Sequence, residues 1–187
     1  MKAELRSISA KNLTSNYEII VDKITKFPGL RFYELKRETG FANGTLQHHV
    51  NSLIKSKKID AHYDNAVPRY FLRNVDLESK IIIQRLSQNT TSKIIKLLLK
   101  KECQTFAQLV KYSKKSPGTV SLYKNKLVAD KIIVGSTDNC KCNKKHSMKI
   151  KYRLSDPKKV RTLVLEYGKS SLNQSADNLA DVFLSLK

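Results

Sequence analysis

The sequence predicts a mainly α fold with small β-hairpins, built as two similar modules in tandem and followed by C-terminal helices. Three observations predict it. Apolar residues recur at helical spacing along most of the chain and turn to strict alternation only in short stretches such as 59–63 and 69–72. Turn and cap chemistry falls between the helical stretches, as at Gly40 and Ser116-Pro117. The frame also repeats: shifting the numbering by 74 lays Ile20 on Ile94, Ile24 on Leu98, Phe32 on Phe106, Leu35 on Leu109, Gly44-Thr45 on Gly118-Thr119, Asn51 on Asn125, Leu53 on Leu127 and Ile59 on Ile133, without a gap. A fixed period in the apolar frame, with the polar positions free to change, is the mark of a duplicated module.

Residues 1–15 are polar with scattered Leu5, Ile8 and Leu13, and read as a loose arm or a short strand. Asn16 is expected to cap a helix over 17–27, with Tyr17, Ile20, Val21 and Ile24 inward, which Pro28-Gly29 ends. A short extended link leads to a helix over 33–39. Gly40 suits a left-handed helix end, since it lacks a Cβ, and Asn43 is expected to cap the next helix. That helix places Leu46, Val50, Leu53 and Ile54 on one stripe and leaves Gln47, His48, Asn51 and Lys55 mostly outside it. His49 sits at the inner edge and reads as a packed core histidine. Two helices joined by a tight turn form a helix-turn-helix. The alternating strands that follow, joined by Asp64-Asn65 and with Pro68 suggesting an edge strand, make a hairpin directly behind it, which is a wing.

Residues 76–91 read as a connecting helix, with Leu77, Ile81, Ile82 and Leu86 at helical spacing, so the first module spans 1–75. The second module, 92–155, begins with a helix from Ser92, inward at Ile94, Ile95, Leu98 and Leu99. Thr105 caps a helix over 106–112, residues 113–115 turn, and Ser116 at N-cap with Pro117 at N1 is the preferred order for a helix start. That helix is read with Val120, Leu127 and Val128 inward. Its wing is eight residues longer than the first. Asp156-Pro157 repeats the start signal, and 156–187 read as C-terminal helices whose last one, with Ala176, Leu179, Ala180, Phe183 and Leu186 on one face, packs on its own chain or forms a homodimer contact.

Charge narrows the function classes. The chain has 36 Lys and Arg against 16 Asp and Glu, a net +20, and residues 104–161 alone hold 15 basic and 3 acidic side chains. That density exceeds what solubility requires and points to a polyanion. Nucleic acid fits better than a membrane, because the basic residues line no amphipathic helix and no apolar run approaches the roughly 18 residues of a membrane span. Residues 1–14 have no signal-peptide core. A soluble, cytoplasmic, nucleoid-associated protein is the expectation. No Gly-rich phosphate loop, paired-carboxylate motif or Ser/His/Asp arrangement is visible, so an enzyme is not expected.

Residues 28–35, Pro-Gly-Leu-Arg-Phe-Tyr-Glu-Leu, and 44–50, Gly-Thr-Leu-Gln-His-His-Val, with Leu53 and Ile59, resemble the winged-helix domains of archaeal and bacterial transcription regulators of the ArsR and MarR type. The doubled plan resembles archaeal predicted regulators with two winged helix-turn-helix domains. The resemblance implies duplex DNA as partner, with recognition helices 43–57 and 116–130 in the major groove and the wings against the backbone. On this sequence the implied contacts are Asn43, Gly44, Thr45, Gln47, His48 and Asn51 in the first module. In the second they are Lys114, Lys115, Ser116, Gly118, Thr119, Ser121 and Asn125, with Leu122 in the place of His48. Gln and Asn suit adenine's N6 and N7, while Thr and a helix start suit phosphate. Arg69, Lys141, Lys144, Lys145, Lys149 and Lys151 in the wings are expected to neutralise phosphates. The expected alternatives are a nonspecific DNA or RNA binder and a tandem winged-helix interaction scaffold.

The second wing also holds Cys140, Cys142 and His146, three soft ligands within seven residues. They could start a zinc site, but Cys-x-Cys is not the usual knuckle and no fourth ligand is evident, so no cofactor is expected. Nearby lysines would lower a thiol pKa and suit a metal or redox sensor. The bland alternative is reduced thiols in a basic loop, and the odd count of three with Cys103 fits a reducing compartment.

Overall fold

A computed structural model describes residues 15–137 and 150–167. The arm, the second wing's tip and the C-terminal stretch, with the expectations placed on them, lie outside the described residues. Two compact units divide after Val75. The fold class is as the sequence predicts: mainly helical, with small antiparallel sheets, in the winged-helix arrangement.

In the first unit α1 (Asn16–Lys26) starts at Ser15, not at Asn16. Ser15 accepts from Tyr17 N, and Glu18 reaches back to Ser15 N at 3.0 Å, closing a capping box. β1 (Leu30–Arg31) leads into α2 (Phe32–Thr39), which ends at Gly40 with φ 71°, the left-handed value that favours glycine. α3 (Asn43–Lys55) follows. β2 (Ile59–Asp64) and β3 (Val67–Leu72) close the wing through Asn65 and Ala66, both at positive φ. That two-residue loop matches the right-handed twist of the strands. The strand order is β1-β3-β2, so β3 is the central strand and not the edge that Pro68 suggested. The register explains the tolerance. Asp64 pairs with Val67 next to the turn, so Tyr63–Pro68 is a wide pair whose missing N–H faces away from β2. On that side β1 has already ended, at Arg31 opposite Arg69. The core is Ile20, Ile24, Leu30, Leu35, Leu46, Val50, Leu53, Ile59 and Tyr70.

The second unit opens with α4 (Leu77–Leu86), capped by Asp76, and α5 (Asn89–Lys100), which starts three residues before the Ser92 expected from sequence. Leu77, expected inward, is 61% exposed, since it sits at the first helical position. Then come β4 (Gln104–Thr105), α6 (Phe106–Ser113), α7 (Pro117–Ala129), β5 (Ile133–Ser136) and β6 (Lys151–Leu154). The strand order β4-β6-β5 mirrors the first sheet, and Ile133 faces Leu154 as Ile59 faces Leu72. Ile94, Leu98, Leu109, Val120, Leu127 and Ile133 are buried, as are their counterparts 74 residues earlier.

Two polar fastenings hold α4 within this unit. Arg85 Nε meets Asp130 Oδ2 at 2.5 Å where α7 ends. Residues 157–167 are helical, and Lys159 joins two helix starts: its N–H donates to Asp156 Oδ1 while its Nζ donates to Asp76 Oδ1 at 2.9 Å and Glu78 Oε2 at 2.6 Å. No helix among the described residues is long and apolar enough to cross a membrane.

Candidate nucleic-acid interface

Burial of Leu46, Val50 and Leu53 fixes the roll of α3 and turns Gly44, Gln47, His48, Asn51 and Lys55 outward, all exposed at spacings of three and four. Asn43 and Thr45 are exposed too. Asn43 is the first helical residue and Ala42 the N-cap, so the Asn side chain does not cap the helix. No side chain caps α3, and a Cβ on Gly44 would meet nothing within 4 Å. This helix start is therefore open to an incoming oxygen acceptor. On the stripe, Gln47 Nε2 donates to Asn51 Oδ1 at 3.0 Å. His49, as expected, packs: its ring meets Tyr17 edge-on at 4.6 Å, and its Nε2 lies 3.3 Å from Asn16 Nδ2.

α7 is built differently. Ser116 caps it, accepting from Thr119 N at 3.3 Å and sharing a 2.8 Å hydrogen bond with Thr119 Oγ1. Lys114 ends α6 in the left-handed conformation at φ 54°, the place that Gly40 holds in the first unit. Lys114, Lys115, Gly118 and Asn125 are exposed, whereas Thr119 and Ser121 are half-buried. Leu122 is 56% exposed, and Val128, expected inward, is 42% exposed. Leu127 takes the core position, and the next residue points about 100° further round. Lys124 replaces the core Val50. It lies along the surface with Nζ 5.2 Å from the Tyr152 ring centroid, 5.9 Å from that of Phe106 and 3.4 Å from Tyr152 Oη. Pairing Val50 with Lys124 under the 74-residue offset was the signal that sequence reasoning passed over.

Two cations assigned to the wings lie inward. Arg69 is 3% exposed and its Nη1 donates to Gly29 O at 2.8 Å. Lys151, at the matching place in the second ladder, is 6% exposed. Neither geometry fits a phosphate contact. Exposed cations of the first unit that sequence reasoning left out include Lys57, Lys58 and Arg73, just past α3 and the wing, with Lys57 and its counterpart Lys131 both in the left-handed conformation. Lys141, Lys144, Lys145, Lys149, Cys140, Cys142 and His146 lie outside the described residues. Among the described residues no His, Cys, Asp and Glu group could hold a metal. Cys103 is disulfide-bonded.

Residues 14–81 match the family model of an N-terminal HTH domain. That span contains α1 to β3, so the match agrees with the helix-turn-helix that the first unit shows. No curated protein matches the chain. A solved structure, the DIP2311 protein from Corynebacterium diphtheriae, aligns at 13% identity and a TM-score of 0.25, over 74% of this chain and 26% of that one. The chain thus spans about a quarter of that protein's length, and a likeness this low carries no argument.

Proposed function

We propose that the chain is a DNA-binding transcription regulator made of two copies of one winged helix-turn-helix module. α3 reads base edges, α7 and the lysines before it grip the backbone, and the C-terminal helices join two copies into a homodimer. The observation that carries this reading is the outward stripe of α3, with Gln47, His48 and Asn51 exposed beside an uncapped helix start in the segment that matches the HTH family. Amide side chains read bases, and a bare helix start takes phosphate. The net +20 supports a polyanionic partner. No cofactor is part of this reading.

The experiment is selection of bound sequences from a random duplex pool at about 150 mM salt, where nonspecific binding is suppressed. The expected result is an enriched palindrome with half-sites about one helical turn apart. Tight binding without a motif moves the protein to the nonspecific binders. Absence of binding favours an interaction scaffold, the reading that the exposed Leu122 and Val128 on α7 support.

A further inference from the structure

The geometry points to Gln47 and Asn51 acting as one composite adenine reader, in which Asn51 sets the orientation of the Gln47 amide. This rests on the DNA-binding reading above and names the base that the first unit selects.

The two residues are four apart on the exposed stripe of α3, and Gln47 Nε2 donates to Asn51 Oδ1 at 3.0 Å. An isolated amide side chain turns freely and offers donor or acceptor with equal ease. The bond removes that freedom. It uses one Gln47 proton and the Asn51 oxygen, and so assigns which end of each amide remains. The bond leaves unused Gln47 Oε1, an acceptor, and the Asn51 Nδ2 protons with the second Gln47 Nε2 proton, donors; neither residue has another partner among the described residues. An acceptor beside a donor complements one major-groove edge: adenine, with its N6 donor beside its N7 acceptor. Guanine offers two acceptors there, cytosine one donor, and thymine an acceptor beside a methyl group. Orienting the amides before contact also lowers the entropy lost on binding.

The second unit lacks the device. Its matching residues are Ser121 and Asn125, and a serine hydroxyl has no amide whose ends a neighbour could assign. Adenine selection therefore belongs to the first unit.

The ordinary alternative is that the bond is a surface staple, worth about 0.2–0.5 kcal/mol to the helix and nothing to recognition. Asn51→Asp separates the two. Aspartate still accepts from Gln47 Nε2, so the staple stays. The Asn51 donor is gone and an acceptor stands in its place beside Gln47 Oε1, and two acceptors suit the N4 amino group of cytosine. Duplex selection is run on the full chain, wild type and Asn51→Asp, with competition binding on the best site bearing each base at the affected position and circular dichroism to verify folding. The expected result is an adenine preferred roughly 5- to 150-fold in the wild type, replaced by cytosine in the variant. Gln47→Ala and the Gln47→Ala/Asn51→Ala double variant should lose that preference equally, since either change dismantles the same reader. A motif whose base preferences are the same in wild type and Asn51→Asp, or a preferred base other than adenine, overturns the composite reader and leaves the regulator intact. A wild type with no motif overturns the regulator reading itself.

Discussion

At positions 74 residues apart the two units agree inside, Val50 and Lys124 excepted, and differ outside. Leu46 and Val120, Leu53 and Leu127, Ile59 and Ile133 are all buried, and the strands behind them pair in the same register. On the outer face Gln47 and His48 of α3 become Ser121 and Leu122 of α7, an uncapped helix start becomes one closed by Ser116, and a left-handed glycine becomes Lys114. A core tolerates few changes because close packing constrains each volume. A solvent face carries no such constraint and is free to specialise. The comparison teaches that the frame specifies the fold and that the departures from it distinguish the outer faces: hydrogen-bonding side chains on α3, lysines before α7.

The largest expected effect tests the shared interior. Leu53→Ala and Leu127→Ala remove equivalent buried side chains, and each should cost about 2–5 kcal/mol. Amide exchange should show the loss in the core of the unit that carries the change. Costs that differ by more than the range for such cavities would break the equivalence.

Next comes the division of the outer faces. Lys114→Ala with Lys115→Ala should lower the slope of log affinity against log salt by about 2 and weaken all duplexes alike. Gln47→Ala should leave that slope unchanged and reduce the preference among sites. If the lysine pair changed site preference instead, the assignment of charge to one unit and reading to the other would be wrong.

The shared apolar frame was legible because burial imposes period, and Ile20, Ile94, Leu35 and Leu109 are all buried. Ser116-Pro117 and Gly40 were legible because cap and left-handed positions demand particular chemistry. Helix starts were less so: Asn16 and Asn43 both look like caps, yet Ser15 and Ala42 hold the cap positions. Several residues near a helix start satisfy the same preference, and only tertiary packing chooses among them. The charge pattern placed cations on the wings but could not show that Arg69 and Lys151 turn inward. A long cationic side chain can lie along the sheet or reach into water, and sequence records neither choice. The Gln47–Asn51 bond was likewise out of reach, since spacing permits the contact without requiring it.

Smaller effects follow from the helix ends. Gly40 and Lys114 both hold the left-handed conformation where the short helix ends. Gly40→Ala should destabilise the first unit by about 1 kcal/mol, and Lys114→Gly should stabilise the second by up to about 1 kcal/mol. Opposite signs in urea unfolding would match the geometry; a destabilising Lys114→Gly would mean that the lysine side chain makes up for its backbone.

The smallest effect distinguishes the units by acid. In the second unit the Asp76 carboxylate accepts from the Ser79 hydroxyl and backbone N–H and from Lys159, and these bonds hold its pKa well below the ordinary value of 3.8. A carboxyl whose pKa is depressed by folding stabilises the fold at pH values above its unfolded pKa, and that contribution fades as protons return below it. Lys159, raised from 10.5 by its bonds to Glu78 and Asp76, acts in the opposite sense, contributing below 10.5 and losing that contribution in stronger base. Asp76 and Glu78 are more than half exposed, so solvent screens the pair and the change is modest. Asp76→Asn should therefore flatten the loss of second-unit stability as pH falls below about 4, measured by amide exchange in α4, while leaving exchange in α1 unaltered. An unchanged acid profile in α4 would assign the acid response of the second unit to other carboxylates.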